Sequence, residues 1–270
     1  MPTPPHGTHL PAMQPLGIIG GSAFLRGVDL RELDPEIRLE EVNTPRGIVR
    51  LHRATDFVFL RRHGEGEYRP PHRLPHHAHV LALKQLGVEE VVALASTGAL
   101  TPGIRPGDVV VPDDYFSRHP PPTFAGDEFL HIVPQLSASL RSRLLAVARD
   151  VLNSDRGGDL GEGIRAIGVG TLHIGGVYGE TTGPRFETRA EVRALARDAS
   201  LVGMTAASEA TLCQEQGLRY AMLCIVDNWA NGVGPEPLTL KAFQARQADN
   251  GELAGRILRG IVGNWRDHPR

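Results

Sequence analysis

The sequence predicts an α/β fold, a single domain with a mixed, largely parallel central β-sheet flanked by helices. Three observations predict it. Short apolar runs alternate with longer stretches of helical periodicity. The chain of 270 residues is 41% hydrophobic and 22% charged, enough for a sizeable core without metal or disulfide staples. No internal repeat and no convincing linker divides residues 16–265, so 15–270 is read as one domain behind a Pro- and His-rich tail at 1–14, expected to be mobile.

The elements follow in order. Leu16–Ile19 is a short apolar strand that Gly20–Gly21 ends. Ile48–His52 and Phe57–Leu60 read as strands of a small meander. Residues 77–86 place Val80, Leu81, Leu83 and Leu86 at helical spacing. Glu90–Ala95 is a buried-strand candidate running into Ser96-Thr97-Gly98. Val109–Val111 is another, bounded by Pro106-Gly107-Asp108 and Pro112. Residues 117–126 read as a loop and Leu136–Leu152 as a helix. Arg165–Leu172 and His173–Val177 read as strands, Glu191–Arg197 as a helix and Leu201–Met204 as a strand. Ala207–Gln216 is helical and stops at Gly217. Tyr220–Val226 is a strand, and Leu238–Val262 a long last helix.

Composition excludes several function classes. Lys and Arg number 29 against 31 Asp and Glu, a net charge of −2, so no general basic field awaits nucleic acid. No apolar run approaches the roughly 20 residues that span a bilayer. The first residues, Met1-Pro-Thr-Pro-Pro-His, lack the basic and apolar regions of a signal peptide. Cys213 and Cys224 are too few for a secreted disulfide framework and read as buried thiols, so a cytoplasmic protein is expected. The twelve His are scattered, with no His-Glu-x-x-His or Cys-x-x-Cys, so no metal site is expected. A Gly-x-Ser-x-Gly elbow is also missing, which argues against a Ser/His/Asp hydrolase.

Residues 181–191, Thr-Thr-Gly-Pro-Arg-Phe-Glu-Thr-Arg-Ala-Glu, are the most informative stretch. Gly183–Pro184 reads as a turn. It sets the ring of Phe186 beside the carboxylate of Glu187, a pairing that suits a flat heterocycle with N–H donors. Thr-Arg-Ala-Glu from Thr188 is a candidate capping box. Gly20-Gly21-Ser22 follows a strand, where N–H groups and a hydroxyl can meet an anion. Arg62 can fork onto two phosphate oxygens, and His63 can donate or shuttle a proton. Asn228, with its amide donor and acceptor, follows the Tyr220–Val226 strand at the edge where open α/β sheets hold ligands.

Taken in order, Gly17–Ser22, Arg61-Arg62-His63-Gly64, Gly183–Glu187, Gly203-Met204-Thr205 and Val226-Asp227-Asn228 resemble the purine nucleoside phosphorylase and methylthioadenosine phosphorylase family. The resemblance runs from about residue 16 to about residue 260. It implies reversible phosphorolysis of a purine nucleoside, with inorganic phosphate as co-substrate and no resident cofactor. It implies phosphate contacts from Ser22, Arg62, His63, the backbone at Ser96 and the Thr205 hydroxyl. It places Met204 under the ribose, Phe186 beside the base, and Glu187 and Asn228 on the base edge. Glu187 can accept from N1–H of a 6-oxopurine, and adenine-specific members carry an aspartate where Asn228 stands, so a 6-oxopurine is favoured over a 6-aminopurine. Asp227 is the alternative base contact if the register shifts by one residue.

This chain departs from the family in three places. Ala95 stands where methylthioadenosine phosphorylases tend to have a hydroxyl residue. Pro75-His76 replaces an Asn-Tyr pair. Leu240 takes the place of a histidine that meets a 5′-hydroxyl, so Leu238–Phe243 reads either as an apolar 5′ pocket or as plain helix core. Phe124–His131 resembles the segment that completes a neighbouring subunit's site, with His131 the donor, which implies a homotrimer or a hexamer of trimers. A phosphate-independent nucleosidase and a pure nucleoside-binding protein are the competing readings. Neither needs a phosphate shell.

Overall fold

The computed structural model describes residues 14–21, 28–127, 130–154 and 170–268. The strands are β1 (Leu16–Gly20), β2 (Arg38–Thr44), β3 (Gly47–Arg53), β4 (Phe57–Arg61), β5 (Glu90–Ala99), β6 (Val109–Val111), β7 (Asp114–Ser117), β8 (Leu172–Ile174), β9 (Val177–Glu180), β10 (Leu201–Gly203) and β11 (Arg219–Trp229). The helices are α1 (His76–Gln85), α2 (Ala138–Ser154), α3 (Arg189–Leu195), α4 (Ala206–Glu215) and α5 (Leu240–Asp267). All the described strands join one mixed sheet. Pairs β1–β4, β1–β5, β5–β11, β9–β10, β6–β8 and β7–β9 are parallel. Pairs β2–β3, β3–β4, β5–β10 and β6–β11 are antiparallel. The expected α/β class and mixed, largely parallel sheet are therefore what the chain forms.

Burial on both sheet faces explains the apolar runs. Alternate residues of β5 and β11 divide between two cores. One core packs Val91, Ala93, Met222 and Cys224 with Ala82 and Leu83 of α1 and Ala210 and Cys213 of α4. The other packs Val92, Leu94, Leu223 and Ile225 with Leu144 of α2 and Ile257 and Ile261 of α5. Both cysteines are buried thiols. Among the described residues no helix is long and apolar enough to cross a membrane.

Several boundaries differ from expectation. β5 and β11 run on through Ser96-Thr97-Gly98 and Asp227–Asn228, because the two strands pair with each other through to Ala99 and Trp229, with one bulge at Asp227. The run His173–Val177 is broken at Gly175 and Gly176, both with positive φ, so β8 and β9 are separate strands. Strands β2 and β7 were not foreseen: β2 is mostly exposed and lacks an apolar run, and β7 is a four-residue edge. Helix α5 begins at Leu240, capped by the Thr239 hydroxyl accepting from Ala242 N at 3.2 Å. Of the strand expected over Arg165–Leu172, residues 165–169 lie outside the described residues, as does the tail up to residue 13, and of the remainder Leu172 alone belongs to a strand, β8. Gln14, assigned to that tail, donates to Glu89 at 2.6 Å.

The sheet branches at β5, and this branch creates the site. Over Glu90–Leu94, β5 pairs with β1, and over Gly98–Ala99 the antiparallel β10 pairs with it. Ala95, Ser96 and Thr97 lie between those two pairings, while β11 pairs with all three. A crevice opens where a sheet's partners change.

Candidate active site

A cavity of about 970 Å³ occupies this crevice. Its lining includes Ser96, Thr97 and Gly98 of β5, His63 and Tyr68 after β4, and Phe186 and Glu187. Met204, Thr205 and Asn228 also line it, as do Leu240, Phe243 and Gln247 of α5. Eight of the residues expected from sequence are therefore brought together: His63, Ser96, Phe186, Glu187, Met204, Thr205, Asn228 and Leu240.

Glycines set the closeness of the wall. Gly183 (φ +60°) precedes a cis Pro184, and a Cβ there would stand 2.5 Å from the Met204 sulfur. A Cβ on Gly203 would stand 2.2 Å from the Tyr178 hydroxyl. After this turn the capping box forms as expected: Thr188 Oγ1 accepts from Glu191 N at 3.2 Å, and the Glu191 carboxylate accepts from Thr188 N at 2.8 Å. Glu187 is buried just before the cap. Its Oε1 accepts from the Thr181 hydroxyl at 2.6 Å, which orients the carboxylate.

Asn228 enters the cavity through a bulge. Val226 pairs with Thr97 and Asn228 with Gly98, leaving Asp227 outside the ladder. The Asn228 amide nitrogen donates to the Trp229 carbonyl at 2.8 Å, which fixes the side chain's rotation. Asp227 is 2% exposed and absent from the cavity lining; its Oδ1 accepts from Asn250 of α5 at 2.8 Å. The alternative base contact is thus overturned: the bulge sends these adjacent residues into different environments.

The phosphate side holds a second correction. Arg62 is 2% exposed, and its fork is already taken. Its Nε and Nη2 donate to the two Glu209 oxygens at 2.6 and 2.9 Å, and Nη1 donates to the Leu94 carbonyl at 3.1 Å. Glu209 also accepts from the Tyr220 hydroxyl at 3.0 Å. The Nε–Nη2 edge of Arg62 is therefore committed to Glu209 and not available to phosphate, while one N–H each on Nη1 and Nη2 remains. Its contact with Gly21, where a Cβ would lie 2.5 Å from Nη1, keeps a guanidinium edge beside the end of β1. Burial opposes charge on Glu209, yet the Arg62 guanidinium wins and holds this carboxyl below its usual range.

His63 is buried, and burial depresses its pKa to about 4, with Arg62 adding to the effect. Its Nδ1 lies 2.8 Å from the Arg69 carbonyl. A carbonyl oxygen only accepts, so Nδ1 carries the proton and Nε2 of the neutral ring is an acceptor. The ring stacks on Tyr68, with centroids 5.2 Å apart at 17°. Thr205 precedes α4 without using its hydroxyl as a cap. The α4 amides are satisfied instead by the Tyr178 hydroxyl and by the Glu180 carboxylate, which takes Ala207 N at 2.7 Å. Thr205 lines the cavity, its hydroxyl uncommitted to the helix.

The base and sugar walls are aromatic and aliphatic. Phe186 meets Phe243 edge to face at 5.3 Å. Leu240, 62% exposed, stands at the mouth. Ser22 lies outside the described residues. His131 is exposed and absent from this chain's cavity. Sequence reasoning missed Tyr68, Gln247, Asn250 and Glu209. Asn250 carried a signal, a polar residue one turn before the buried run Ala254, Ile257, Leu258 and Ile261. The others carried none, since a Tyr, a Gln or a Glu on a helix or loop is ordinary. Among the described residues no cluster could hold a metal ion.

An edge that carries His63, Ser96 and Thr205 shares one cavity with an aromatic wall and with the Asn228 amide and the Glu187 carboxylate, the groups that a glycosyl-transferring phosphorylase needs. The family model described as the phosphorylase superfamily matches residues 15–263. A probable 6-oxopurine nucleoside phosphorylase of Archaeoglobus fulgidus is 32% identical over 92% of this chain and 95% of its own. A probable S-methyl-5′-thioinosine phosphorylase of Xanthomonas campestris is 36% identical over 91% of this chain and 97% of its own. A solved adenosine/methylthioadenosine phosphorylase variant of Schistosoma mansoni with adenine superposes with a TM-score of 0.78 at 26% identity, over 94% of this chain and 92% of that one. The chain belongs to the purine nucleoside and methylthioadenosine phosphorylase family of this superfamily. It is a pentosyltransferase acting on purine nucleosides.

Proposed function

We propose that the protein catalyses reversible phosphorolysis of a 6-oxopurine nucleoside whose sugar has an apolar 5′ end, of the 5′-methylthioinosine kind. The observation that carries this reading is Asn228 and Glu187 across one cavity from His63, Ser96 and Thr205. A 6-oxopurine presents an acceptor at O6 and a donor at N1. Glu187 accepts from N1–H, and Asn228 donates toward N7 and O6. Leu240 and Phe243 suit a methylthio group, and relatives named for 6-oxopurine and methylthioinosine substrates support the choice.

Phosphate is held by the Ser96 backbone N–H, the Thr205 hydroxyl and an edge of Arg62, with Ser22 added by family resemblance. The His63 Nε2 accepts from the P–OH of hydrogen phosphate. A phosphate oxygen bonds to C1′ as the C1′–N9 bond breaks and its electron pair passes to the purine. Phosphate loses one proton and the released base gains one. The protein contributes positioning of two reactants and stabilisation of the leaving base by Asn228. His131 reaches a neighbouring copy's site in a trimer or a hexamer of trimers. Cytoplasmic residence suits the two buried free thiols.

The test is a panel of inosine, guanosine, methylthioinosine, adenosine and methylthioadenosine with and without phosphate. Methylthioinosine should be used best, and sugar 1-phosphate should form only with phosphate. Equal base release in phosphate-free buffer would mean a nucleosidase instead.

A further inference from the structure

We propose that Asp227 is a positioning residue of the phosphorolysis site, holding Ser96 of β5 and Gln247 of α5 in place across the cavity floor. The inference rests on the proposed phosphorolysis. Asp227 occupies the bulge of β11 and bonds Asn250 through Oδ1 at 2.8 Å. Asn250 also donates to the Val226 carbonyl at 3.3 Å, so one α5 residue grips the bulge twice. Asn250 is the first buried residue of α5; the preceding turns are mostly exposed and carry Leu240, Phe243 and Gln247 to the cavity. The Asp227 bulge is therefore where the substrate-facing end of α5 is tied to the sheet.

The second carboxylate oxygen points to the function of this tie. Asp227 Oδ2, Ser96 Oγ and Gln247 Nε2 are all buried, and none makes a hydrogen bond of full geometry among the described residues. They are one acceptor oxygen with two lone-pair positions and two donors. Ser96 and Gln247 lie near enough to favour the ionised carboxylate against the burial that opposes it. Bonds from Ser96 Oγ and Gln247 Nε2 to Asp227 Oδ2 satisfy all three buried atoms at once. Ser96 then has its hydroxyl committed to Asp227 and offers phosphate its backbone N–H. Gln247 has its Nε2 committed and offers the cavity its carbonyl, an acceptor for a sugar hydroxyl.

This wiring is sensitive to acid. Burial pushes Asp227 up to about 6, offset by Asn250, Ser96 and Gln247 and by the charge of Arg246. Those are the groups that face it: Asn250, Gln247 and Arg246 from α5 and Ser96 from β5. Arg246 also lies 3.7 Å from Asp249. Protonation removes an acceptor position, so the two donors compete for what remains.

The experiment measures kcat and KM for phosphate and for nucleoside from pH 5 to 8.5, with melting temperatures, for wild type, Asp227→Asn and Gln247→Leu. The ratio of variant to wild type cancels phosphate's own ionisation. Asp227→Asn should raise the phosphate KM about 10-fold with kcat changed by less than about 3-fold, the scale expected for losing a hydrogen bond to a charged group. It should also lack the acid limb expected of wild type near pH 6. Gln247→Leu, on a half-buried helix position, should raise the nucleoside KM roughly 3- to 10-fold and leave the phosphate KM within about 2-fold. A phosphate KM and acid limb equal to wild type in Asp227→Asn overturn the proposal, whatever happens to the melting temperature. Should that variant not fold, an unchanged nucleoside KM in Gln247→Leu overturns it. Wild type that releases base without phosphate defeats the underlying reading instead, so the two failures are distinct.

Discussion

Glu209→Ala should damage stability far more than any contact it makes with substrate would suggest. The carboxylate is fully buried and meets Arg62 through two bonds at 2.6 and 2.9 Å, with the Tyr220 hydroxyl a third partner at 3.0 Å. Removing it leaves a buried guanidinium whose remaining hydrogen-bond partner among the described residues is the Leu94 carbonyl. Breaking a buried pair from one side costs about 3–5 kcal/mol, because the remaining charge stays desolvated. For a domain of this size about 1 kcal/mol shifts the melting temperature by roughly 2 °C, so a fall of about 6–10 °C is expected. Calorimetry of wild type, Glu209→Ala and Glu209→Gln checks it, with Gln intermediate because its amide oxygen still accepts. The pH dependence has a definite sign. The folded Glu209 pKa is depressed, so its contribution is present above the unfolded value near 4.5 and is lost as pH falls below it. The wild-type advantage over Glu209→Gln should therefore shrink in acid. A melting temperature within 2 °C of wild type for Glu209→Ala would refute the reasoning. So would an Arg62→Ala variant as stable as wild type, since the buried cross-link to Glu209 would then contribute nothing.

Further predictions concern the base, the buried histidines and the assembly. Asn228→Asp should narrow or reverse the preference for 6-oxopurines, and Glu187→Gln should lower their kcat/KM by about 10-fold or more while sparing 6-aminopurines; a wild type preferring methylthioadenosine over methylthioinosine contradicts both. Burial holds His79 neutral with a pKa near 3, so the unfolded chain binds more protons between pH 3 and 6.5, and stability should rise as pH rises across that window; denaturant melts of wild type and His79→Gln should show a different dependence on pH there, and parallel dependences would count against it. Light scattering at assay concentration should give a trimer or hexamer, and an active monomer would remove the role assigned to His131.

Much of the architecture was legible along the chain because it rests on local patterns. The apolar runs of β1, β4, β5 and β11 and the periodicity of α1, α2, α4 and α5 are imposed by burial against a sheet, and burial leaves its period in the sequence. The turn at Gly183–Pro184 and the Thr188–Glu191 capping box were readable for a like reason, since each involves residues close together. The cavity side chains His63, Phe186, Glu187, Met204, Thr205 and Asn228 lie beside such punctuation, at the ends of strands where a site can form.

What tertiary structure alone decided are the partners far apart in sequence. Arg62 was a candidate phosphate fork until Glu209, 147 residues away, closed on it. Asp227 and Asn228 were interchangeable on paper, and a bulge set by pairing with Thr97 and Gly98 sent one to Asn250 and the other into the cavity. Strand β2 carries no apolar run because only one of its seven residues is buried, and it exists through its ladder to β3. Hydrogen-bond partners chosen across a sheet or between helices leave no period behind them. A side chain's chemistry can be read in the sequence, but which of its bonds remain available to a ligand depends on the neighbours the fold brings to it.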